Sequence, residues 1–260
     1  MKTQETIAIV GGGRMGRALA AALRAAGARV SGPHGRGFDG DGVDAVLLCV
    51  PDGQIGPAAA AVAPGPLVGH CSGATGLDVL AAHEAFGLHP LMTITRRGGD
   101  FRGAGAAVAA SSDRALAFAT DLARMLGMRP FQIADDDRAA YHAGAAMASN
   151  FLVALESAAE RVAGVDRELL APLVRAAVET WAAEGEAALT GPIARGDEAT
   201  VARHREAIAE RAPELIGLYD ALAEATRAVA ARAASNGAEA TASTTPAAAS
   251  AASDGAGAPT

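Results

Sequence analysis

Residues 7–16 read Ile-Ala-Ile-Val-Gly-Gly-Gly-Arg-Met-Gly, and they contain the pattern G-x-G-x-x-G at Gly11, Gly13 and Gly16. The pattern follows a β-rich apolar run (Thr6–Val10) and precedes apolar positions at helical spacing (14–26). Glycine-rich turns are common in a chain with 31 glycines, but a strand before the pattern and a helix after it give this one a specific meaning. The stretch predicts a strand, a tight turn and a helix.

Each glycine of the pattern has a different structural role. Gly11 permits the tight turn, Gly13 lets a diphosphate approach the backbone, and Gly16 lets the helix pack closely on the strand. Exposed N–H groups and the positive end of the helix then hold the phosphates. We therefore expect a dinucleotide at this turn, contacted by Gly11, Gly13, Arg14, Met15 and Gly16. A turn without a ligand is the alternative.

The end of the second predicted strand (28–31) distinguishes the two pyridine dinucleotides. In NAD sites an acidic residue about 20 residues after the glycines holds a ribose 2′-hydroxyl. Here the sequence runs Val-Ser31-Gly-Pro-His-Gly-Arg36, and no carboxylate appears before Asp39. Ser31 and Arg36 suit a 2′-phosphate, and Arg14 could add a second contact. NADP is therefore expected rather than NAD, unless Arg36 is a solvated loop residue.

Short apolar runs and helical stretches alternate up to residue 134. The run 44–50 is continuously apolar and ends at Pro51, as expected of a strand buried on both faces. Weaker strand signals cover 66–71, 85–89, 105–110 and 129–133, and residues 113–126 have helical spacing. Strands that alternate with helices predict a mainly parallel sheet with right-handed crossovers.

After residue 134 the strand signal stops and four helices are expected, at 136–163, 168–188, 197–211 and 213–233. Asp197 is the expected N-cap of the third, and Pro213 opens the last. Residues 234–260 are small or polar and cannot bury enough surface to offset their conformational entropy, so we expect disorder there. The predicted fold is α/β: a Rossmann-like domain (1–134), a smaller all-helical domain (135–233) and a disordered tail.

The composition excludes several classes of function. With 22 basic and 29 acidic residues, the net charge of −7 is a poor basis for nonspecific nucleic-acid binding. No apolar run could span a membrane, and the start turns glycine-rich too soon for a signal peptide, so we expect a cytoplasmic protein. Lys2 is the only lysine. Because arginine keeps its proton, proton transfer must use other residue types.

Several segments carry a resemblance to known proteins. Val50-Pro51-Asp52, which follows the buried strand, resembles the 6-phosphogluconate dehydrogenase-like reductases, among them pyrroline-5-carboxylate reductase, ketopantoate reductase and prephenate dehydrogenase. Residues 70–80, 87–93, 141–151 and 189–197 together resemble a family in which a Rossmann-like domain is joined to a helical domain of unknown function. The resemblance implies this fold, a dinucleotide cofactor beside Val50 and Pro51, and pairing through the helical domain as a homodimer. It names no substrate.

The first helix of the predicted second domain is where relatives in this superfamily keep catalytic groups. In 3-hydroxyacid dehydrogenases a lysine and an asparagine lie one turn apart; if Asn150 matches that asparagine, Ala146 holds the lysine position. His142, Ser149 and Asn150 share one helix face because of their spacing. A polar stripe on an apolar helix needs a partner, which a substrate or structural hydrogen bonds would provide. We expect His142 to be the proton donor, since histidine is the residue type that exchanges a proton most readily near neutral pH.

Other polar residues compete for roles in the same site. His70 and Ser72 follow a predicted parallel strand, where open sheets bind ligands, and Ser72 is expected to orient the nicotinamide or the substrate. His89, before Pro90, and Ser149 are candidate substrate contacts. Arg195 could pair with a substrate carboxylate, although a bare surface arginine is the alternative.

The remaining candidates are expected to be structural. Cys49 and Cys71 are interpreted as small buried strand residues, too few for a disulfide framework. Trp181 is expected to pack between helices. No spacing typical of metal ligands is found, so no metal is expected.

These observations predict an NADP-dependent oxidoreductase acting on a small, carboxylate-bearing substrate. A 2-oxo acid of ketopantoate type is the first candidate, although the missing lysine counts against the standard ketopantoate reductase mechanism. The alternatives are a cyclic imine or a prephenate-like substrate within the enzyme class, and a catalytically silent NADP-binding sensor or interaction protein outside it.

Overall fold

The computed structural model describes residues 5–242. The described chain divides after Leu152 into two compact units. This division lies inside the helical stretch that the sequence analysis assigned as a whole to a second domain. The predicted tail from residue 243 onward lies outside the described residues.

The first unit is built on a seven-stranded sheet. Its strands are β1 (Thr6–Val10), β2 (Arg29–His34), β3 (Ala45–Leu48), β4 (Leu67–His70), β5 (Ala85–Leu91), β6 (Gly105–Ala110) and β7 (Arg129–Gln132). They lie in the order β2-β1-β3-β4-β5-β6-β7. Neighbouring strands are parallel except β5 and β6, which pair antiparallel. The predicted mainly parallel α/β sheet is confirmed.

Helices cover both faces of this sheet. The helices of the unit are α1 (Arg14–Ala25), α2 (Ile55–Ala59), α3 (Asp113–Met125) and α4 (Arg138–Ala146). On one face, Leu19 of α1 and Phe118 of α3 belong to a buried cluster with Ile9 and Phe86, and the rings of Phe86 and Phe118 meet edge to face at 5.2 Å. On the other face, α2 packs through Ile55. Each large apolar side chain buried in this way contributes about 1.5–3 kcal/mol.

The order of the strands fixes where a ligand can bind. From β1 the chain moves to β2 on one side and returns to β3 on the other, so the strand order reverses between β1 and β3. In open parallel sheets the crevice outside the carboxyl ends of the strands at such a reversal is the binding position. The turn after β1 and residues 49–51 after β3 lie on this edge.

The helix expected at 136–163 is interrupted. Between α4 and α5 (Leu152–Ala163) the backbone forms one π-helical turn, Met147–Phe151. Such single turns occur frequently at functional sites. Because α4 contacts β5 through its side chains, it belongs to the sheet-containing unit rather than to the other helices.

The second unit is helical, as predicted. It contains α5 from Val153 onward, α6 (Arg167–Glu184), α7 (Glu198–Arg211) and α8 (Ile216–Ala242). The Asp197 carboxylate accepts a hydrogen bond from the Thr200 amide, so the predicted N-cap is confirmed. The expectation of disorder from residue 234 is wrong up to Ala242, where α8 continues, since alanine favours helix. The packing role expected for Trp181 is also wrong, because this side chain is 63% exposed.

Among residues 5–242, no helix is both long and apolar enough to cross a membrane.

Candidate active site

The glycine turn after β1 has the geometry that its sequence predicts. Gly11 has φ +108°, and a Cβ there would overlap the Cys49 carbonyl oxygen. A Cβ on Gly16 would overlap the Gly11 carbonyl oxygen, so α1 and the turn are in closest contact at this point. A Cβ on Gly12 or Gly13 would meet no atom within 4 Å. Gly11 and Gly16 are therefore required by the fold, whereas Gly13 borders open space.

The first turn of α1 leaves backbone donors available. Gly13 is the N-cap residue and provides no side-chain cap, and the first turn contains no acidic residue. Arg14, the first residue of α1, is exposed, while Met15 packs partly against the core. Free amides at a helix N-terminus together with an arginine suit an anionic group. The turn therefore fits the diphosphate of a dinucleotide.

Val50 and Pro51 form the neighbouring wall of the crevice. A Cβ built on Gly11 would lie 3.1 Å from Cγ1 of Val50. Pro51 then precedes a short 3-10 turn, Asp52–Gln54, that leads into α2. The predicted cofactor residues from the ends of β1 and β3 are thus brought together.

The end of β2 differs from its prediction. The strand continues past Ser31 to His34, which pairs with Val10 of β1 and accepts a hydrogen bond from the Gly11 amide at 2.9 Å. The Ser31 hydroxyl and the His34 Nε2 form a hydrogen bond of 2.7 Å. The His34 ring stacks on Phe38 with 4.0 Å between ring centroids. Arg36 donates from Nη1 to the Gln54 Oε1 at 2.6 Å, so its guanidinium is held near the end of β3. His34 and Gln54 were missed because neither has a local sequence signal.

A second concave site lies on the same unit, beside α4. It is a cleft of about 530 Å³. Its lining contains four predicted site residues, His89, His142, Ser149 and Asn150. The other described residues that line it are Leu91, Met92, Thr93, Tyr141, Gly144, Ala145, Ala146 and Ala148. The π turn at Met147–Phe151 contributes Ala148, Ser149 and Asn150 to this lining.

The polar centre of the cleft is formed by three rings. The Nδ1 of His89 and the hydroxyl of Tyr141 share a hydrogen bond of 2.6 Å. The His142 ring lies 6.4 Å from the His89 ring, centroid to centroid. The backbone of Gly73 passes close to both histidines, since a Cβ there would lie 2.9 Å from His89 Cε1 and 3.0 Å from His142 Cδ2. Tyr141 and Gly73 were not predicted as site residues.

A buried arginine lies next to this cluster. Arg138 is 4% exposed and donates from Nε to the Asp135 carboxylate at 2.6 Å, while its Nη2 has no hydrogen-bond partner in the described part of the chain. Burial, the neighbouring His142 and the Arg138 charge lower the pKa of His89 to about 4. Burial raises the pKa of Tyr141. Both partners of the hydrogen bond are therefore uncharged at neutral pH.

His70 and Ser72 hold the loop after β4. The Nδ1 of His70 accepts from the Ser72 amide at 3.2 Å and its Nε2 donates to the Gly76 carbonyl oxygen at 3.1 Å, while burial lowers the His70 pKa. The Ser72 hydroxyl accepts from the Ala74 and Thr75 amides and donates to the Thr75 hydroxyl. Its bonding capacity is used within the loop, and Ser72 is not among the residues that line the cleft. The orienting role of Ser72 stays a prediction.

The remaining candidates are distributed over both units. The Ser149 hydroxyl donates to the Ala145 carbonyl at 2.7 Å, and Asn150 is exposed. Arg195 is exposed in the second unit, so its contact with a substrate stays a prediction. Cys49 and Cys71 are free thiols with their sulfur atoms 3.7 Å apart. They are half-buried and lie directly after β3 and β4, so the expectation of buried residues within the strands is wrong.

Comparisons with known proteins agree with this architecture. Residues 105–226 match the model of a family described as a domain of unknown function, DUF2520. This match agrees with the resemblance to proteins whose helical part has no assigned function. No curated protein shows significant sequence similarity to the chain.

Three solved structures illustrate the shared fold. A candidate NADP oxidoreductase from Bacteroides fragilis is 20% identical, with a TM-score of 0.74 over 86% of this chain and 98% of that protein. Protein TM1727 from Thermotoga maritima is 22% identical, with a TM-score of 0.71 over 87% and 98%. Pyrroline carboxylate reductase from Plasmodium falciparum, solved with NADP bound, is 13% identical, with a TM-score of 0.52 over 88% and 99%. The Rossmann-like fold with a helical second part is thereby established.

Proposed function

We propose that this protein is an NADP-linked oxidoreductase that converts a small substrate in the cleft beside α4. The observation that carries the proposal is the glycine turn, where Gly11 and Gly16 are fixed by close contacts while Gly13 borders open space. This open space lies beside the first turn of α1, which has no side-chain cap and no acidic residue and therefore suits an anionic group. The cleft belongs to the same compact unit as this turn.

The residues of the turn fit the nucleotide. The backbone at Gly11 and Gly13 and the first turn of α1 would hold the diphosphate, with Arg14 as a charged neighbour and Met15, Gly16, Val50 and Pro51 completing the walls. When bound, a reduced nicotinamide supplies a hydride. The protein then has to orient a substrate and control one proton.

The end of β2 favours NADP over NAD. Ser31 and Arg36 lie where a 2′-phosphate is recognised, and His34 adds a ring nitrogen bonded to Ser31. Arg36 carries a full charge, and its contact with Gln54 fixes it near the crevice. Two of the proteins that share this fold are named for NADP or were solved with it, which supports the same choice.

On the substrate side, we assign His142 and Asn150 as contacts within the cleft, with His89 and Ser149 beside them. The substrate class that we propose first is a 2-oxo acid of ketopantoate type. A cyclic imine is the second candidate, supported by the fold shared with pyrroline carboxylate reductase. A prephenate-like substrate and a silent NADP-binding protein remain alternatives to be tested.

We also propose that the protein is a homodimer. Leu169, Leu173 and Trp181 of α6 recur at multiples of four residues and are 71%, 68% and 63% exposed. These three side chains form what we call the α6 stripe. Large apolar side chains gathered on one helix face are typical of an interface. A second copy of the chain is the partner expected from the resemblance.

The glycine turn allows a sharp test of the nucleotide assignment. Gly13→Val should fold normally, since a Cβ there would meet no protein atom within 4 Å, yet it should block the approach of a diphosphate. Gly12→Val is the matched control, because Gly12 borders similar open space but is a free position of the motif. NADPH fluorescence titration should show an affinity loss of about 100-fold or more for Gly13→Val only, as expected for removal of several charge-assisted hydrogen bonds.

Turnover is tested by NADPH oxidation against a panel of 2-oxo acids and cyclic imines. Wild-type protein with no affinity for NADPH or NADH would overturn the proposed function. Nucleotide binding without turnover of any compound would leave only the binding-protein alternative.

A further inference from the structure

We infer that Tyr141 and His89 form the proton-transfer pair of this cleft, and that the group reduced is a carbonyl rather than a preformed iminium. The inference rests on the proposed function and deepens it at the substrate site. It assigns Tyr141, and not His142 as the sequence analysis expects, as the residue that protonates the substrate oxygen, and leaves His142 as a substrate contact.

The two side chains are joined by a short hydrogen bond. Tyr141 Oη and His89 Nδ1 lie 2.6 Å apart, and the rings meet edge to face with 5.5 Å between centroids. Both residues line the cleft. They come from different elements, β5 and α4, so the contact is set by the fold rather than by neighbouring positions in the chain.

Surrounding groups hold this pair in place. On its other side the Tyr141 ring contacts Phe131 of β7, with 6.0 Å between centroids. Gly73 packs against the edge of the His89 ring. A pair fixed from three elements needs little reorganisation when a substrate binds, which is a requirement for efficient proton transfer.

The charge state of the pair suits a relay. The pKa of His89 is lowered to about 4 by burial, by His142 and by Arg138, while Asp52 opposes the shift, so the imidazole is neutral at pH 7. Burial also raises the pKa of Tyr141, so a lasting phenolate is unfavourable. A neutral imidazole carries one N–H and one lone pair, and it can therefore pass a proton on without acquiring a net charge.

A hydride transfer and a proton transfer convert the carbonyl to an alcohol. The carbonyl carbon accepts the hydride that the bound nucleotide supplies, the C=O π bond opens onto oxygen, and that oxygen takes the hydroxyl proton of Tyr141. Tyr141 Oη takes the proton of His89 Nδ1, and His89 Nε2 takes one from solvent. The sum is a carbonyl, a hydride and one proton converted to an alcohol. Tyr141 ends as it began, whereas His89 ends protonated on Nε2 and regains the Nδ1–H tautomer by proton exchange with solvent before the next turnover.

A carbonyl needs this relay and an iminium does not. Reduction of C=O places negative charge on oxygen, and an acid close to that oxygen lowers the barrier. An iminium already carries its proton and becomes a neutral amine when a hydride is added. A neutral donor pair held at hydrogen-bond distance therefore matches the first reaction.

The relay requires one tautomer of His89 in the resting protein. For Tyr141 to donate into the cleft, His89 must donate from Nδ1 to Tyr141 Oη. We expect long-range ¹⁵N–¹H correlation spectra of the full chain, labelled in histidine and recorded at pH 7, to show His89 protonated on Nδ1. A His89→Gln spectrum assigns the signal. Tyr141→Phe should shift His89 toward the other tautomer.

The chain offers a matched control for this measurement. Tyr219 in the second unit faces His204 Nδ1 at 3.0 Å, a second tyrosine–histidine contact. Tyr219→Phe removes the same hydroxyl and should leave the His89 signals unchanged. A wild-type His89 protonated on Nε2, with Nδ1 accepting from Tyr141, would overturn the inference without reference to any substrate.

Kinetics supply the second readout. With a carbonyl substrate from the panel, Tyr141→Phe should lower kcat by about 100-fold or more, with KM and NADPH affinity close to wild type, and Tyr219→Phe should match wild type. A Tyr141→Phe variant with near-normal kcat, or wild-type protein that reduces imines but no carbonyl, would overturn the inference while leaving the proposed function intact. Loss of nucleotide binding by wild type would instead show that the proposed function itself is wrong.

Discussion

Gly73 lies where the loop after β4 meets the two histidine rings of the cleft. Gly73→Ala would place a methyl group 2.9 Å from His89 and 3.0 Å from His142, so at least one ring has to move. We expect a loss of about 1–3 kcal/mol in the free energy of unfolding from this overpacking, together with a marked loss of turnover. Urea denaturation and the NADPH oxidation assay measure the two effects.

Gly56→Ala is the control for the Gly73 variant. Gly56 lies in α2, and a Cβ there meets no atom within 4 Å. Alanine is a better helix former than glycine, so stability should be equal or slightly higher. Equal stability and activity for Gly73→Ala and Gly56→Ala would contradict the close packing at Gly73.

The two buried histidines predict how stability depends on pH. The pKa values of His70 and His89 are both lowered, for His89 to about 4, mainly because burial disfavours the charged ring. As the pH falls, these two histidines therefore become protonated at a higher pH in the unfolded chain than in the folded protein. The contribution of His89 is complete above an unfolded pKa near 6.5 and is lost between there and about pH 4, with an upper bound of roughly 3 kcal/mol. The contribution of His70 is lost in the same direction as the pH falls.

Urea denaturation at pH 7.5, 5.5 and 4.5 measures this dependence. His89→Gln removes one titrating ring, so the variant should lose less stability than wild type over the same range. A variant whose stability falls as steeply as that of wild type would show that His89 is not buried in its neutral form.

Single residues differ in how far the sequence could predict their roles and contacts. Gly11, Gly13 and Gly16 act within one turn, and their roles follow from local backbone geometry alone. The contact between His89 and Tyr141 joins positions 52 apart, and it arises only when α4 packs on β5. The Ser72 hydroxyl is satisfied by its own loop, and the position after a strand that suggested a ligand role for Ser72 cannot reveal such competition.

At the scale of elements, the end of β2 is the part of the fold that selects the nucleotide. Arg36→Ala removes the charge expected to meet a 2′-phosphate, whereas NADH has no such group. We expect NADPH affinity to fall about tenfold or more while NADH affinity changes little, since a hydrogen bond to a charged group contributes about 1.5–3 kcal/mol. Fluorescence titration with both nucleotides measures the ratio.

Arg29→Ala is the matched control for this preference, because Arg29 is exposed at the opposite end of β2. It should leave the ratio of the two affinities unchanged. An Arg36→Ala variant that keeps the wild-type ratio would assign the preference to other residues.

Strands and helices were predicted well where apolar runs mark their bounds. They were predicted less well where tertiary contacts determine the direction of a strand or the geometry of a helix. β1 and β6 have their predicted bounds. The antiparallel direction of β6 was not predicted. A parallel pair needs a crossover connection, usually a helix, and the residues between β5 and β6 form no helix, so the two strands pair antiparallel. The π turn at Met147–Phe151 has no propensity signal, because its residues are ordinary helix formers.

At the scale of the whole molecule, the α6 stripe accounts for apolar surface that a single chain leaves exposed. Leu173→Glu places a charge within the stripe, and burying it in an interface without a partner would cost several kcal/mol. We therefore expect wild-type protein to sediment as a dimer and Leu173→Glu to sediment as a monomer at the same concentration. Arg175→Glu is the control, because it changes charge on the far side of the same helix. A monomeric wild type, or a dimer that survives Leu173→Glu unchanged, would place any pairing surface elsewhere.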